Sequence, residues 1–194
     1  MDIRIGIDAS QPMGSCAVSR DGMIVAAGTI ERPIENMTEL IRRTLKEAGA
    51  ELSELTEIVS CIGPGSQTGI RTTVVTCNAL GLALGIPVTG IMSLDALAAL
   101  ADGREHVLAA VSAGRRRWFT ASYTMSDGKL SRIGEIGLVD ELPEGENQAF
   151  TFASSGGKVC AEGLLVAAES QRQLIEQDAR SEVRPYESPF AQKF

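Results

Sequence analysis

Thr56-Glu57-Ile58-Val59-Ser60-Cys61-Ile62, followed directly by Gly63-Pro64-Gly65-Ser66-Gln67-Thr68-Gly69-Ile70-Arg71, is the stretch on which the fold turns. The first segment is β-branched and apolar enough for a buried strand, and the uncharged run from Thr72 to Leu84 is long enough for a helix. Three glycines and a proline between them bend the backbone sharply, so the unit reads strand, Gly-rich turn, helix. Two readings of the turn are open. Amides freed at a helix N-terminus attract anions, which makes Gly63, Pro64, Gly65, Ser66, Thr68, Gly69 and Arg71 a candidate nucleotide- or anion-facing loop. Alternatively the glycines serve a tight bend, with Ser66 or Thr68 capping the helix. A Walker loop is excluded, because the Gly-Lys-Ser/Thr ending is missing and no lysine lies between Lys46 and Lys129.

Upstream, Ile3 to Asp8 alternates into a first strand, Gly14 to Ser19 reads as a second, and Arg20-Asp21-Gly22 turns the chain into a third from Met23 to Ile30. Asn36 or Thr38 then starts a helix with Met37, Ile41, Leu45 and Ala48 on one face, ended by Gly49. Downstream come a short strand at Pro87 to Ile91 and a helix from Ser93 to about Ala101. Three strands followed by β-α alternation predict a mixed sheet with helices packed on it. Asp102 to His106 is a polar break, and the chain divides there into a lobe over residues 1–104 and a smaller one over 105–194. The second opens on three more strands, Val107 to Ala113, Trp118 to Tyr123 and Lys129 to Leu138, a second meander. After an acidic loop at Glu141 to Asn147 are expected a strand from Ala149 to Ala153, a Gly156-Gly157 turn, a helix from about Lys158 to Gln177, and an irregular tail from Arg180.

A hydrophobic content of 44 % over 194 residues is ordinary for a globular protein. Lys plus Arg total 18 against 25 acidic residues, a net charge of −7, which argues against a self-sufficient nucleic-acid binder. Cys16, Cys61, Cys77 and Cys160 show no C-x-x-C spacing and lie in apolar runs, as buried free thiols in a reducing cytoplasm would. No basic leader with an apolar core opens the sequence, and its apolar runs are broken well before bilayer length. A soluble, cytoplasmic protein is expected.

The opening Ile5-Gly6-Ile7-Asp8-Ala9-Ser10, the Gly63-to-Arg71 motif, the helix end Gly81-Leu82-Ala83-Leu84-Gly85-Ile86-Pro87-Val88 and Gly90-Ile91-x-Ser93-Leu94-x-Ala96-Leu97 together resemble the TsaB (YeaZ) family, densely over residues 3–100. The resemblance implies an actin-like, ribonuclease-H-like (ASKHA) α/β fold of two lobes. It also implies an accessory role in making tRNA threonylcarbamoyladenosine, beside a catalytic TsaD-type subunit and a TsaE-type ATPase. Ser112 stands where that family usually has Asp, Gln67 where an aromatic is common, and Asn36-Met37 where a His and a hydroxyl residue are common.

Chemistry in this chain itself is sparsely equipped. The catalytic relatives hold a metal with paired histidines, whereas His106 is the single histidine, and no His/Cys/carboxylate group has ligand spacing. His106 is expected to face solvent. Asp8 ends the first strand, where kinases and ATPases of this fold organise a metal-bound phosphate; here a turn-capping role is favoured. Ser112 supplies no carboxylate for magnesium. Arg115-Arg116-Arg117 reads as a solvated strand edge or a phosphate contact. The uncharged Thr72-to-Leu84 helix carries the interaction signal, since one face on a sheet leaves a second to be covered. Thr73, Thr76, Cys77, Leu80 and Leu84, with Met37, Leu40, Thr44 and Ala48 of the preceding helix, are the candidate partner-interface residues. The family resemblance makes such a pair of helices half of a four-helix contact, either with a TsaD-type subunit or between two copies. The resulting expectation is a non-catalytic scaffold with no tightly bound cofactor or metal of its own, ATP and a metal being held by partner subunits and tRNA met only through the complex. The alternatives are a small ATP-dependent phosphotransferase of the same superfold, using Asp8 and magnesium, or a homodimeric interaction module.

Overall fold

β1 (Ile3–Asp8), β2 (Gly14–Arg20) and β3 (Met23–Ile30) form the expected antiparallel meander. In the computed structural model, which describes residues 1–101, 104–126, 129–142, 150–151 and 159–171, β4 (Glu57–Cys61) and β5 (Val88–Ile91) extend the sheet from the other edge of β1, both running parallel to it. The sheet order is β3-β2-β1-β4-β5. Parallel pairing needs crossovers, which α1 (Pro33–Ala48) and α2 (Gln67–Leu84) supply.

Both helices begin earlier than their apolar periodicity suggests. In α1, Pro33 occupies the first turn, where its missing amide leaves nothing unpaired and its fixed φ suits the helix; Gly49 closes the other end in the left-handed region at φ 60°. In α2, the Ser66 hydroxyl accepts from the Gly69 amide at 3.3 Å, so the helix starts at Gln67, inside the Gly-rich motif.

β1 alternates apolar with polar or small residues yet is buried at every position. Ile3, Ile5 and Ile7 pack under α1 and α2 with Leu40, Ile41, Leu45 and Cys77. The opposite face of the sheet, which the alternation would leave to water, is covered by α4 (Cys160–Gln171), whose Cys160, Ala161, Leu164 and Leu165 join Ala17, Val59 and Cys61 in a second core. The contact is close: a Cβ on Gly6 would lie 2.6 Å from the Ala161 carbonyl oxygen. The first sheet is therefore a three-layer sandwich whose outer layer comes from the far end of the sequence, not the two-layer unit that local reading favours.

β6 (His106–Gly114), β7 (Arg117–Ser126) and β8 (Lys129–Val139) make a separate antiparallel sheet in that order. The short helix α3 (Ser93–Ala99) serves both cores. Leu94 and Leu97 pack on the second sheet, while Ala96 and Ala99 meet α4. The Tyr123 hydroxyl donates to Asp95 at 2.6 Å across the α3–β7 contact, and burial pushes the phenol pKa up. Of the expected strand at 149–153, Phe150 bridges in parallel to Ala109; the acidic loop beyond residue 142, the Gly156-Gly157 turn and the tail lie outside the described residues.

The β6–β7 turn places two non-glycine residues in the left-handed region, Arg115 at φ 51° and Arg116 at φ 62°. Side chains with a Cβ are disfavoured there by about 1–2 kcal/mol each. Arg116→Gly is expected to raise stability by about 1 kcal/mol, read as an upward shift of the thermal midpoint. An unchanged or lowered midpoint would mean that the Arg116 side chain makes a compensating contact.

Candidate functional site

The Gly-rich turn is laced to two neighbouring segments. The Ser66 amide donates to the Ser10 carbonyl at 2.8 Å, the Ser93 amide to the Gly63 carbonyl at 2.8 Å, and the Ser93 hydroxyl to the Pro64 carbonyl at 2.5 Å. Thr73 accepts from the Ala9 amide at 2.9 Å and donates to the Gly69 carbonyl at 3.0 Å. The glycines are needed for this closeness, since a Cβ on Gly65 would sit 2.5 Å from the Ser10 carbonyl oxygen and one on Gly69 would overlap that of Ala9. The amides of Ser66 and Gly69 are thus occupied within the protein. Thr68 and Arg71 are exposed, Gly63 and Pro64 buried, and the Gly63–Pro64 peptide is cis.

A cleft of about 380 Å³ opens in front of the turn, between Ala9–Pro12, Gly65–Ser66 and Ser112–Gly114. Asp8 does not reach it. The side chain is fully buried, and its Oδ1 accepts from the Ser10 amide at 2.8 Å, the turn-capping arrangement. Burial pushes its carboxyl pKa up, against the lowering effect of the Ser10 hydrogen bonds. A group so placed presents no carboxylate edge to a phosphate in the cleft.

Where sequence spacing offers no ligand cluster, the fold makes one. Asp8 at the end of β1, Cys61 at the end of β4 and Cys160 at the start of α4 bring ligand atoms within 4.8 Å of one another, all three fully buried. Cys61 and Cys160 are 99 positions apart, so no local motif could have announced them. All four cysteines are free and buried, and burial raises the Cys16 and Cys77 thiols to about 12, leaving them unreactive.

The candidate partner residues divide. Met37, Leu40, Thr44, Ala48, Thr73 and Cys77 are buried in this chain's own core. A helix covered on one side still buries its inward stripe, and these residues form that stripe. Thr76 and Leu80 line a groove of about 580 Å³ between α1 and α2, floored by Ile41 and Leu45; Leu84 is half-buried against the core. The outward face of α2 carries Val75, 68 % exposed, and Leu82, 86 % exposed, with Ala79 and Ala83 also open to water. These exposed positions were hidden in the sequence because α2 carries no charge after Arg71 to mark its solvent side. His106 is exposed, as expected, and Arg115 and Arg116 are exposed at the hairpin beside the cleft.

The profile of the family described as "TsaD: tRNA N6-adenosine threonylcarbamoyltransferase" matches residues 28–192. An uncharacterized protein of Mycobacterium tuberculosis is 32 % identical over 124 residues, covering 61 % of this chain and 58 % of that protein. The tRNA threonylcarbamoyladenosine biosynthesis protein TsaB of Buchnera aphidicola is 31 % identical over 117 residues, 58 % of this chain and 56 % of that one. The chain thus matches a little over half the length of these curated relatives. Among solved structures, YeaZ from Pseudomonas aeruginosa superposes with a TM-score of 0.77 at 23 % identity, over 96 % of this chain and 100 % of that one, so the two share a fold. No helix among the described residues is long and apolar enough to cross a membrane.

Proposed function

Because this chain belongs to the family described as TsaD, tRNA N6-adenosine threonylcarbamoyltransferase, and stands with its TsaB (YeaZ) relatives, we propose that it is the non-catalytic scaffold of a tRNA threonylcarbamoyladenosine-forming assembly. The observation that carries this reading is the outward face of α2. Val75 and Leu82 are large apolar side chains held in water on the part of α2 that carries no charge, Thr72 to Leu84, beside the α1–α2 groove. Burying them against apolar helices of a TsaD-type subunit recovers about 25 cal/mol for each Å² removed from water. A groove floored by Ile41 and Leu45 accepts a partner's side chains in the manner of ridge-into-groove packing.

The catalytic work falls to the partner. Asp8 is buried, the turn amides of Ser66 and Gly69 are engaged internally, and these features support a chain that leaves ATP and the metal accompanying it to its neighbours. With a net charge of −7, contact with tRNA belongs to the assembled complex, with a TsaE-type ATPase joining it. The same α2 face serves self-association when the partner is absent, since related folds present related helices.

Leu82→Glu and Val75→Glu test the proposal. Both positions are exposed, so the isolated variants should melt at the parent temperature. Each introduced carboxylate would be desolvated at the contact, at a cost of about 2–3 kcal/mol, and should weaken co-purification with the TsaD-type subunit roughly a hundredfold. Undiminished complex formation by both folded variants would refute the assigned face.

A further inference from the structure

We propose that Asp8, Cys61 and Cys160 form a binding site for a zinc-class divalent metal ion, buried behind the cleft and joining three separate elements of the fold. One carboxylate oxygen and two sulfurs, none separated by more than 4.8 Å, converge from β1, β4 and α4. Two thiolates and a carboxylate are a donor set suited to zinc, which is four-coordinate at about 2.3 Å from sulfur and about 2.0–2.2 Å from oxygen. Tetrahedral ligands at those lengths lie roughly 3.8 Å apart, so contraction by about 1 Å completes the arrangement.

The second, independent observation concerns Asp8 itself. Its Oδ1 is occupied by the Ser10 amide, whereas Oδ2 is fully buried, and the groups that meet the carboxylate from across the cluster are the Cys61 and Cys160 thiols themselves. A buried carboxylate met there only by weakly donating thiols is costly to hold charged, and a cation shared by the three groups supplies the compensating charge. The Ser10 hydroxyl, which accepts from the Cys61 thiol at 3.4 Å, is an oxygen at hand for the fourth position. Ser10 also lines the cleft, so the cluster lies one residue behind that opening. On binding, the two thiols release their protons to solvent, as does the carboxyl where it is protonated.

The consequence is architectural. Cys160 is the first residue of α4, the helix that closes the second face of the sheet, and a metal bond to it would clamp that helix to the ends of β1 and β4. Metal that binds the folded chain and not the unfolded one raises the melting midpoint by mass action.

Cobalt(II) is the probe. Full-length protein, reduced with a phosphine and freed of metal by chelation, is titrated anaerobically with cobalt(II) while absorbance and the melting midpoint are followed. The expected result is a one-to-one complex with thiolate-to-cobalt charge-transfer absorption and the visible bands of a tetrahedral ion. The midpoint should rise, and zinc should displace the colour. Cys61→Ser and Cys160→Ser should each weaken cobalt binding by more than about tenfold, whereas the Cys16→Ser/Cys77→Ser double variant should bind as the parent does. Absence of thiolate bands in the folded parent would overturn the site, and this reading does not depend on any variant folding. Bands retained in both Cys61→Ser and Cys160→Ser would overturn it equally.

Discussion

Gly69→Ala should destabilise the protein by about 3 kcal/mol, lowering the thermal midpoint by roughly 6–12 °C for a chain of this size. Gly69 lies in the first turn of α2 with its α-carbon against the backbone at the end of β1, and an added Cβ would overlap the Ala9 carbonyl oxygen. Neither side can yield cheaply. The Ala9 amide is fixed to Thr73 Oγ1 at 2.9 Å, and Thr73 is itself bonded to the Gly69 carbonyl, so moving the helix away breaks the link that positions it. Gly85→Ala is the matched comparison. That residue adopts φ 68° in open space, so substitution there incurs only the left-handed backbone penalty of about 1 kcal/mol. Calorimetry of the two variants separates steric closeness from backbone freedom, and a Gly69→Ala shift no larger than that of Gly85→Ala would sink the steric explanation.

Glu169→Ala should cost about 2–3 kcal/mol, whereas Arg4→Met should fall within about 1 kcal/mol of the parent. Arg4 is only 1 % exposed in β1, its guanidinium paired with Glu169 of α4 and, at 3.3 Å, with Asp2. Its Nε and Nη1 have no hydrogen-bond partner among the described residues. Removing Glu169 strands a buried cation with Asp2 alone, which is the expensive way to break such a pair. Removing Arg4 leaves carboxylates that water can reach, since the Glu169 side chain is 52 % exposed, and puts an apolar side chain of similar length into an apolar layer. The Arg4→Met/Glu169→Ala double variant should therefore be no worse than Arg4→Met by more than about 0.5 kcal/mol. Denaturant titrations of the four proteins complete the cycle. Equal losses from both single changes would show that the pair itself, not the stranded charge, carries the stability.

The Gly-rich turn shows how far local reading goes. Three glycines, a proline and a hydroxyl cap announce a tight strand-to-helix bend, and that bend is present with Ser66 as the cap. Whether the turn's amides faced a ligand or the protein depended on Ser10, whose carbonyl accepts from the Ser66 amide, while Ser93 holds the Gly63 and Pro64 carbonyls from another segment. Which face of α2 looks outward was illegible for a similar reason. With no charge on α2 after Arg71, its sequence does not say which stripe is inward, and Thr73 and Cys77 complete this chain's own core. Val75 and Leu82 became visible only once the sheet had claimed the other side.

What the sequence determined by itself was everything governed by neighbours along the chain: the two antiparallel meanders, the helices that follow them, the turn that launches α2, and through its ordered motifs the family. Periodicity, caps and glycine turns act over a few residues, so they are readable without the fold. Tertiary structure alone decided what lies across space. The alternation of β1 promised a water-facing side, but α4 lies over that side, turning Arg4, Gly6 and Asp8 from surface positions into an ion pair, a close backbone approach and one corner of a buried ligand set. The reason is that burial and coordination depend on which distant segment supplies the covering layer, and no spacing within a strand encodes the address of a helix some 150 residues away.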